Sequence, residues 1–421
     1  MTALSHPRLE RHYRGLLATD DVDPTGVDAF GGTLASPLAV VRSSALAANI
    51  AGMQRWCDDH GVVLAPHGKT TMAPALFSRQ LAAGAWGITV ASPAQAQVAL
   101  AAGATRVLIA NQLTDVAGIR WLGRTLRDAP DVAIWCYVDS LAGVALLDDG
   151  LEGALADAQR AEVLVELGVA GGRTGARSQP DAVRVAEAVK ASRHLRLAGA
   201  SGYEGVAAGA GGPQGIAAVD AFCAELGRLL RRLVDDGLVE PSHDRPLVLS
   251  AGGSAYFDHV ASGLAAARES LSATPTVVVL RSGAYVTHDH GLYARTTPTA
   301  RGGDGPQLTP AFEVWGRVLS RPEPTRAIVD VGRRDAPFDQ DLPFALWSRA
   351  VAGGPRDDLT ASVVSLNDQH AFLDLASDEP LDVGQWVGFG ISHPCTAVDK
   401  WNVLVEIDDA DRVVGLLPTY F

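Results

Sequence analysis

Lysine is scarce in this chain. Of its 35 basic residues only Lys69, Lys190 and Lys400 are lysines, and arginine supplies the rest. An amine can lose its proton and condense with a carbonyl, which a guanidinium cannot, so an isolated lysine in an arginine-rich chain points to such chemistry. Positive charge is also short. The net charge of −13 argues against nucleic acids and anionic membranes as partners, because both reward cationic surfaces. No apolar run reaches the roughly 18 residues of a membrane span, and Met1 to Leu17 mixes both charge signs without an apolar signal core. Cysteine is limited to Cys57, Cys136, Cys223 and Cys395, widely scattered and without a paired spacing. That usage fits buried thiols in a reducing compartment, so a cytoplasmic protein is expected.

What is present is a rhythm. Short apolar runs recur at 62–65, 87–91, 106–110, 132–138, 162–167, 195–200, 246–250 and 276–280. Helical stretches such as Ala45–His60, Pro93–Ala102, Ala182–Ser192, Ala217–Asp236 and Tyr256–Glu269 lie around and between them. Continuous apolar strands alternating with helices predict a parallel sheet, and eight such units in some two hundred residues predict a closed (β/α)8 TIM-type barrel. After Arg281 the texture changes to strand-like runs without long helices, at 312–319, 327–331, 361–366, 386–391 and 401–407. The expected organisation is an α/β barrel over 38–284, with 1–37 and 285–421 forming a second, mainly β domain.

Polar clusters fall just after the predicted strands, where a barrel carries its catalytic loops. Lys69 lies in Pro66-His67-Gly68-Lys69-Thr70 directly after the first run. Gly68-Lys69-Thr70 is not a nucleotide-phosphate loop, because the required glycine five residues earlier is Val63. A reactive amine is the better interpretation of Lys69 than a surface charge. Arg173 follows a later strand on a glycine-rich loop and can hold a cofactor oxygen or a carboxylate, or form a salt bridge between loops. Tyr203 offers a hydroxyl at the next strand end; a buried, satisfied tyrosine would have the same letters. Gly252-Gly253-Ser254 can bring backbone N–H groups to an anion, although a plain tight turn reads the same. Gly283 and Tyr285 follow the last run and can complete a phosphate cup, which together with a lone lysine suggests pyridoxal phosphate. His393-Pro394-Cys395 sets an imidazole and a thiol two residues apart, on one side of a strand, as a candidate metal pair or as a buried His beside an inert Cys. His288-Asp289-His290 and His370 suggest nothing specific.

Taken in order, these motifs resemble the D-serine dehydratase and D-threonine aldolase family, whose barrel is related to that of alanine racemase. The likeness runs from about Pro37 onward. It also includes Ala91-Ser92-Pro93-Ala94-Gln95-Ala96, Arg173-Thr174-Gly175, Gly202-Tyr203-Glu204-Gly205 and Arg281-Ser282-Gly283-Ala284-Tyr285. The resemblance implies a fold-type III pyridoxal phosphate enzyme, working as a homodimer, with a divalent metal (zinc first, manganese or magnesium otherwise) beside the cofactor. It makes Lys69 the catalytic Schiff-base lysine with His67 beside it. Gly252, Gly253, Ser254, Gly283 and Tyr285 become the phosphate site, Arg173 the contact to the phenolic oxygen, and Tyr203 a neighbour of the pyridine ring. His393 and Cys395 become metal ligands in the form found in the dehydratases. The implied activity is loss of water from a D-3-hydroxy amino acid such as D-serine, to a 2-oxo acid and ammonia. Retro-aldol cleavage to glycine and an aldehyde is the alternative, and a non-catalytic cofactor-binding protein a remoter one. One departure stands out: many relatives read Lys-Thr-His, whereas Lys69 is followed by Thr70-Thr71-Met72.

Overall fold

The computed structural model describes residues 24–421 apart from 210, 272 and 352. The first 23 residues of the segment expected to join the β domain therefore lie outside the described residues. Leu38–Arg42 forms β1, which pairs antiparallel with the strand at 312–323 and parallel with the one at 403–407. The first described strand thus belongs to the second sheet, and these five residues, expected at the start of the barrel segment, are not barrel.

The barrel follows as β2 (Val63–Leu64), β3 (Ile88–Val90), β4 (Arg106–Gln112), β5 (Ala133–Val138), β6 (Ala161–Leu167), β7 (Leu195–Gly202), β8 (Leu247–Ala251) and β9 (Thr276–Leu280). Each falls on one of the eight predicted apolar runs. The strands are parallel in the order β2-β9-β8-β7-β6-β5-β4-β3, and a parallel bridge from His67 to Thr89 joins the two ends. Amides of Trp86 and Thr89 donate to the carbonyls of Leu64 (2.7 Å) and Pro66 (3.0 Å) across the same seam.

Alternation along the strands separates two apolar layers. Trp135 and Tyr137 of β5 point into the barrel with Leu108, Leu164, Val248 and Val279. Ile134, Cys136 and Val138 pack outward into the main core. The helices are α1 (Ser43–Asp59), α2 (Pro74–Ala82), α3 (Pro93–Ala101), α4 (Val116–Asp128), α5 (Leu141–Leu151), α6 (Gln179–Ala191), α7 (Gly212–Asp235) and α8 (Phe257–Ser270). Their starts are written in the sequence. Ser92, Asp115, Ser140 and Ser178 each accept a hydrogen bond from an amide three residues on, and Pro93 opens α3 at the first helical position.

After the short α9 (Leu292–Thr296) the second domain adds β10 (Phe312–Glu323), β11 (Arg326–Val329), β12 (Phe344–Arg349), β13 (Asp357–Asp358), β14 (Ala361–Leu366), β15 (Ala371–Leu375), β16 (Trp386–Gly390), β17 (Val403–Ile407) and β18 (Val413–Pro418). Its main path runs β13-β12-β16-β10-β1-β17-β18, with β11, β15 and β14 continuing from β10. An aromatic cluster anchors it. Phe30 stacks on Trp315 at 4.7 Å between ring centres, with Trp347 and Trp386 edge-on around it.

Three contacts fasten this domain to the loop and helix that follow β2. Arg79 of α2 makes a two-pronged pair with Glu406 of β17 at 2.6 and 2.7 Å. The Tyr420 amide donates to the Met72 carbonyl at 2.9 Å. Thr70 Oγ1 lies 3.3 Å from Cys395 Sγ. The Glu406 side chain is 3% exposed and that of Arg79 42%, so removing the arginine strands a buried anion. Breaking a buried pair costs several kcal/mol; allowing for the exposure of Arg79, Arg79→Met is expected to lose about 2 kcal/mol of stability in urea unfolding. Adding Glu406→Gln to that variant is expected to restore most of it, because the stranded charge is then gone.

Candidate active site

The loops at the C-terminal ends of the barrel strands, together with the 393–396 turn and Tyr293, enclose a cavity of about 250 Å³. Lys69 reaches it from a single 3-10 turn, Gly68–Thr70. The turn allows no side chain at Gly68, where a Cβ would sit 2.6 Å from the Phe77 ring. Solvent reaches the Lys69 amine through the cavity, yet the surrounding protein lowers its pKa. Burial is the main cause and the charges of Arg173 and Arg281 add to it, while Cys395 acts in the opposite direction. His67 is held well below its ordinary value by burial and by the neighbouring Lys69.

Arg173 lies with its guanidinium 4.7 Å from the centre of the Tyr203 ring, and among the described residues no carboxylate pairs with it. Arg281 behaves differently. It is 6% exposed and spends its donors on Ser250 Oγ (2.7 Å), Ser201 Oγ (3.2 Å) and the Gly202 carbonyl (2.7 Å). It thereby ties together the ends of β7, β8 and β9. Glu166, at the end of β6, accepts from Gln112 Nε2 at 2.5 Å and Thr174 Oγ1 at 3.1 Å. Burial raises its pKa against the lowering effect of these bonds.

His67, Lys69, Arg173, Tyr203, Gly252, Gly253, Ser254, Gly283 and Cys395 all line this one cavity. Two expectations are corrected. Tyr285 is not part of the cup. It is 2% exposed, its hydroxyl accepts from Gln80 Nε2 at 2.8 Å, and the 284–286 turn leaves Ala284 on the cavity and sends Tyr285 into the core. The amides of Gly252 and Gly253 do not offer themselves to an anion in the cavity either, because both donate to Glu204, which is outside the lining. Ser254 and Gly283 remain as candidates for the cup, with Ala284 beside them tied to Ser254 Oγ through its own amide. At Gly283 a Cβ would come within 2.4 Å of the His67 carbonyl oxygen, so only glycine lets these two loops meet.

His393 stands behind Cys395. Its Nδ1 lies 2.6 Å from Asp339 Oδ2, and Thr396 donates to the other oxygen of that carboxylate at 2.7 Å. Burial opposes the charged imidazole, but hydrogen bonds to Cys395 and Asp339 outweigh it and raise its pKa to about 9. Among the described residues no group of three or more His, Cys, Asp or Glu side chains gathers as a metal cage. The pair nevertheless fits a two-donor metal site: a soft thiolate, an imidazole steered by a carboxylate on its other nitrogen, and further positions left open. A lowered amine, a free guanidinium and a glycine-walled cup likewise fit pyridoxal phosphate. Several contributors were not evident from sequence. Arg281 stood in a quoted motif without a role. Glu166 and Tyr137 sit at strand ends as ordinary core letters. Tyr293, whose phenol bonds Ser254 and is raised by burial and by Cys395, and Asp339 gave no signal at all.

A lysine-bearing barrel closed over by a β domain that brings its own side chains to the cavity is the architecture of the alanine racemase type. A solved alanine racemase from Clostridium difficile superposes with a TM-score of 0.63 over 92% of this chain and 99% of its own, at 12% identity. Within that class the relatives are more specific. Residues 311–407 match the family model described as a putative serine dehydratase domain. The D-threonine aldolase of Arthrobacter is 28% identical over 344 residues, 80% of this chain and 79% of that one. The structure of D-threonine aldolase from Filomicrobium marinum gives a TM-score of 0.78 and 26% identity, covering 94% and 98% of the two chains. That of D-threo-3-hydroxyaspartate dehydratase from Delftia gives 0.71 and 23%, covering 92% and 98%. This chain is a relative of those aldolases and that dehydratase.

If Lys69 is the reactive amine, reductive labelling with pyridoxal phosphate and borohydride will mark it before Lys190 and Lys400. A lowered pKa leaves the amine neutral at lower pH, so labelling should be half-maximal below the ordinary lysine value of about 10.4. Peptide mass spectrometry across a pH series reads this directly.

Proposed function

We propose that this protein is a pyridoxal phosphate- and divalent metal-dependent lyase that removes water from a D-3-hydroxy amino acid, of the D-serine dehydratase type, and works as a homodimer. The observation that carries the proposal is the convergence of Lys69 and Cys395 on one small cavity, with His393 and Asp339 behind the thiol. When bound, pyridoxal phosphate supplies an electron sink for charge developing at the substrate's α-carbon, and a divalent metal a Lewis acid for a β-hydroxyl oxygen.

The chain's own residues do the remaining work. The Lys69 amine, neutral more readily than an ordinary lysine, is the base placed to take a proton at the α-carbon. Arg173, over the Tyr203 ring and paired with no carboxylate among the described residues, is placed to meet an anionic oxygen. Arg281 fixes three strand ends, so the groups around the cavity need little rearrangement when a ligand arrives. Asp339 orients His393 toward Cys395 and would keep both on a metal.

The thiol in the metal pair supports the dehydratase assignment. Two solved structures of D-threo-3-hydroxyaspartate dehydratase carry alanine in place of a histidine and of a cysteine two positions later, the cysteine variant being described as metal-free. His393 and Cys395 have the same spacing. Likeness to two D-threonine aldolases favours a second reading, retro-aldol cleavage. Products decide between them. Pyruvate from D-serine or 2-oxobutyrate from D-threonine, with ammonia, supports dehydration; glycine with acetaldehyde from D-threonine supports cleavage. Lys69→Ala and chelator treatment are each expected to abolish turnover, and full activity in either would end the proposal. Asp339→Asn is expected to weaken metal binding about tenfold to a hundredfold while leaving cofactor binding intact, measured by titration with metal buffers.

A further inference from the structure

We propose that Glu204 is a positioning residue for phosphate binding: its carboxylate clamps the Gly252–Gly253 turn from behind, so that Ser254 is presented to the cavity. The proposal rests on the cofactor assignment above and extends it to a residue with no contact to the cavity.

Glu204 follows Tyr203 beyond the end of β7 and is 1% exposed. Among the described residues no cation pairs with it. Its two oxygens accept from the Gly252 amide at 3.0 Å and the Gly253 amide at 2.6 Å. A carboxylate buried at such cost and committed to two backbone donors fixes the local backbone. The turn it fixes is an unusual one. Gly252 has φ +107°, open to glycine alone, and a Cβ on Gly253 would come within 3.0 Å of the Tyr203 ring and 3.2 Å of the Glu204 carboxylate.

The consequence appears in the next residue. Ser254 Oγ accepts from the Ala284 amide at 3.1 Å, while Ser282 Oγ donates to the Gly253 carbonyl at 2.9 Å. The two loops that form the cup are therefore tied to each other through the turn that Glu204 holds. Ser254, Gly283 and Ala284 line the cavity and Glu204 does not. A turn that had to be ordered on binding would deduct that cost from phosphate affinity. The charge of Glu204 itself opposes a phosphate, so the clamp and simple repulsion predict opposite signs when the charge is removed.

The test compares apo protein binding pyridoxal phosphate with apo protein binding pyridoxal, which shares the ring and aldehyde but lacks the phosphate. Absorbance titrations are run on wild type, Glu204→Gln, Ser254→Ala and the double variant. Glu204→Gln is expected to weaken pyridoxal phosphate about tenfold to a hundredfold and leave pyridoxal within about twofold, and the double variant to be no weaker than Ser254→Ala alone. Unchanged or tighter phosphate affinity, equal loss for both ligands, or additive losses would each overturn the clamp. Glu204→Asp, too short to reach both amides, is expected to show the same selective loss and serves if the glutamine variant does not fold. A wild-type protein without preference for pyridoxal phosphate contradicts the cofactor assignment and the clamp together; a preference retained in both Glu204 variants overturns the clamp alone.

Discussion

The site depends on one junction, where the β domain holds the loop that carries Lys69. That loop has little freedom of its own. Gly68 is pressed against Phe77, and Met72 takes φ +43°, a left-handed conformation that costs a non-glycine residue about 1 kcal/mol or more. The strain is held in place from the other domain. Tyr420 bonds the Met72 carbonyl, Arg79 is locked to the buried Glu406, and Thr70 meets Cys395. The same docking that fixes the lysine brings in the thiol. Without the β domain the cavity would lack Cys395, and the Lys69 loop would lack the contacts to Cys395 and Tyr420.

Electrostatics give the cavity its character. Burial, with the charges of Arg173 and Arg281 added to it, lowers the pKa of Lys69, and the thiol of Cys395 is the group that works against this. Arg281 keeps its charge, but its donors are committed to hydroxyls and a carbonyl. Among the described residues Arg173 pairs with no carboxylate and faces the cavity. Glu166 is biased toward its neutral form by burial, against the bonds from Gln112 and Thr174 that favour its charge.

The barrel was legible in the sequence because its strands are buried on both faces and therefore read as continuous apolar runs. Helices α4 and α5 were not singled out, although Asp115 and Ser140 cap them. In the β domain β12, β15 and β18 escaped notice because short, half-exposed strands carry weak patterns. For the site, Lys69, Arg173, Tyr203, Ser254 and Gly283 are legible as strand-end positions, and the fold brings them to one cavity. Tyr285 was misplaced because a one-residue step around a tight turn reverses a side chain, which letters do not show. The partner of the Gly252 and Gly253 amides lies 48 and 49 residues away, and the partner of His393 lies 54 residues away. Contacts at such separations belong to the fold rather than to any local motif.

The central claim is that Lys69 and the His393–Cys395 pair serve a single reaction centre. Loading the cofactor-bound protein with cobalt(II) tests it most directly, because a cobalt–thiolate bond has its own charge-transfer absorption. The account predicts that this band appears in wild type, is absent in Cys395→Ala, and changes on addition of D-serine or D-threonine but not of their L-enantiomers. A cobalt band indifferent to every hydroxy amino acid, or one that survives Cys395→Ala, would contradict it.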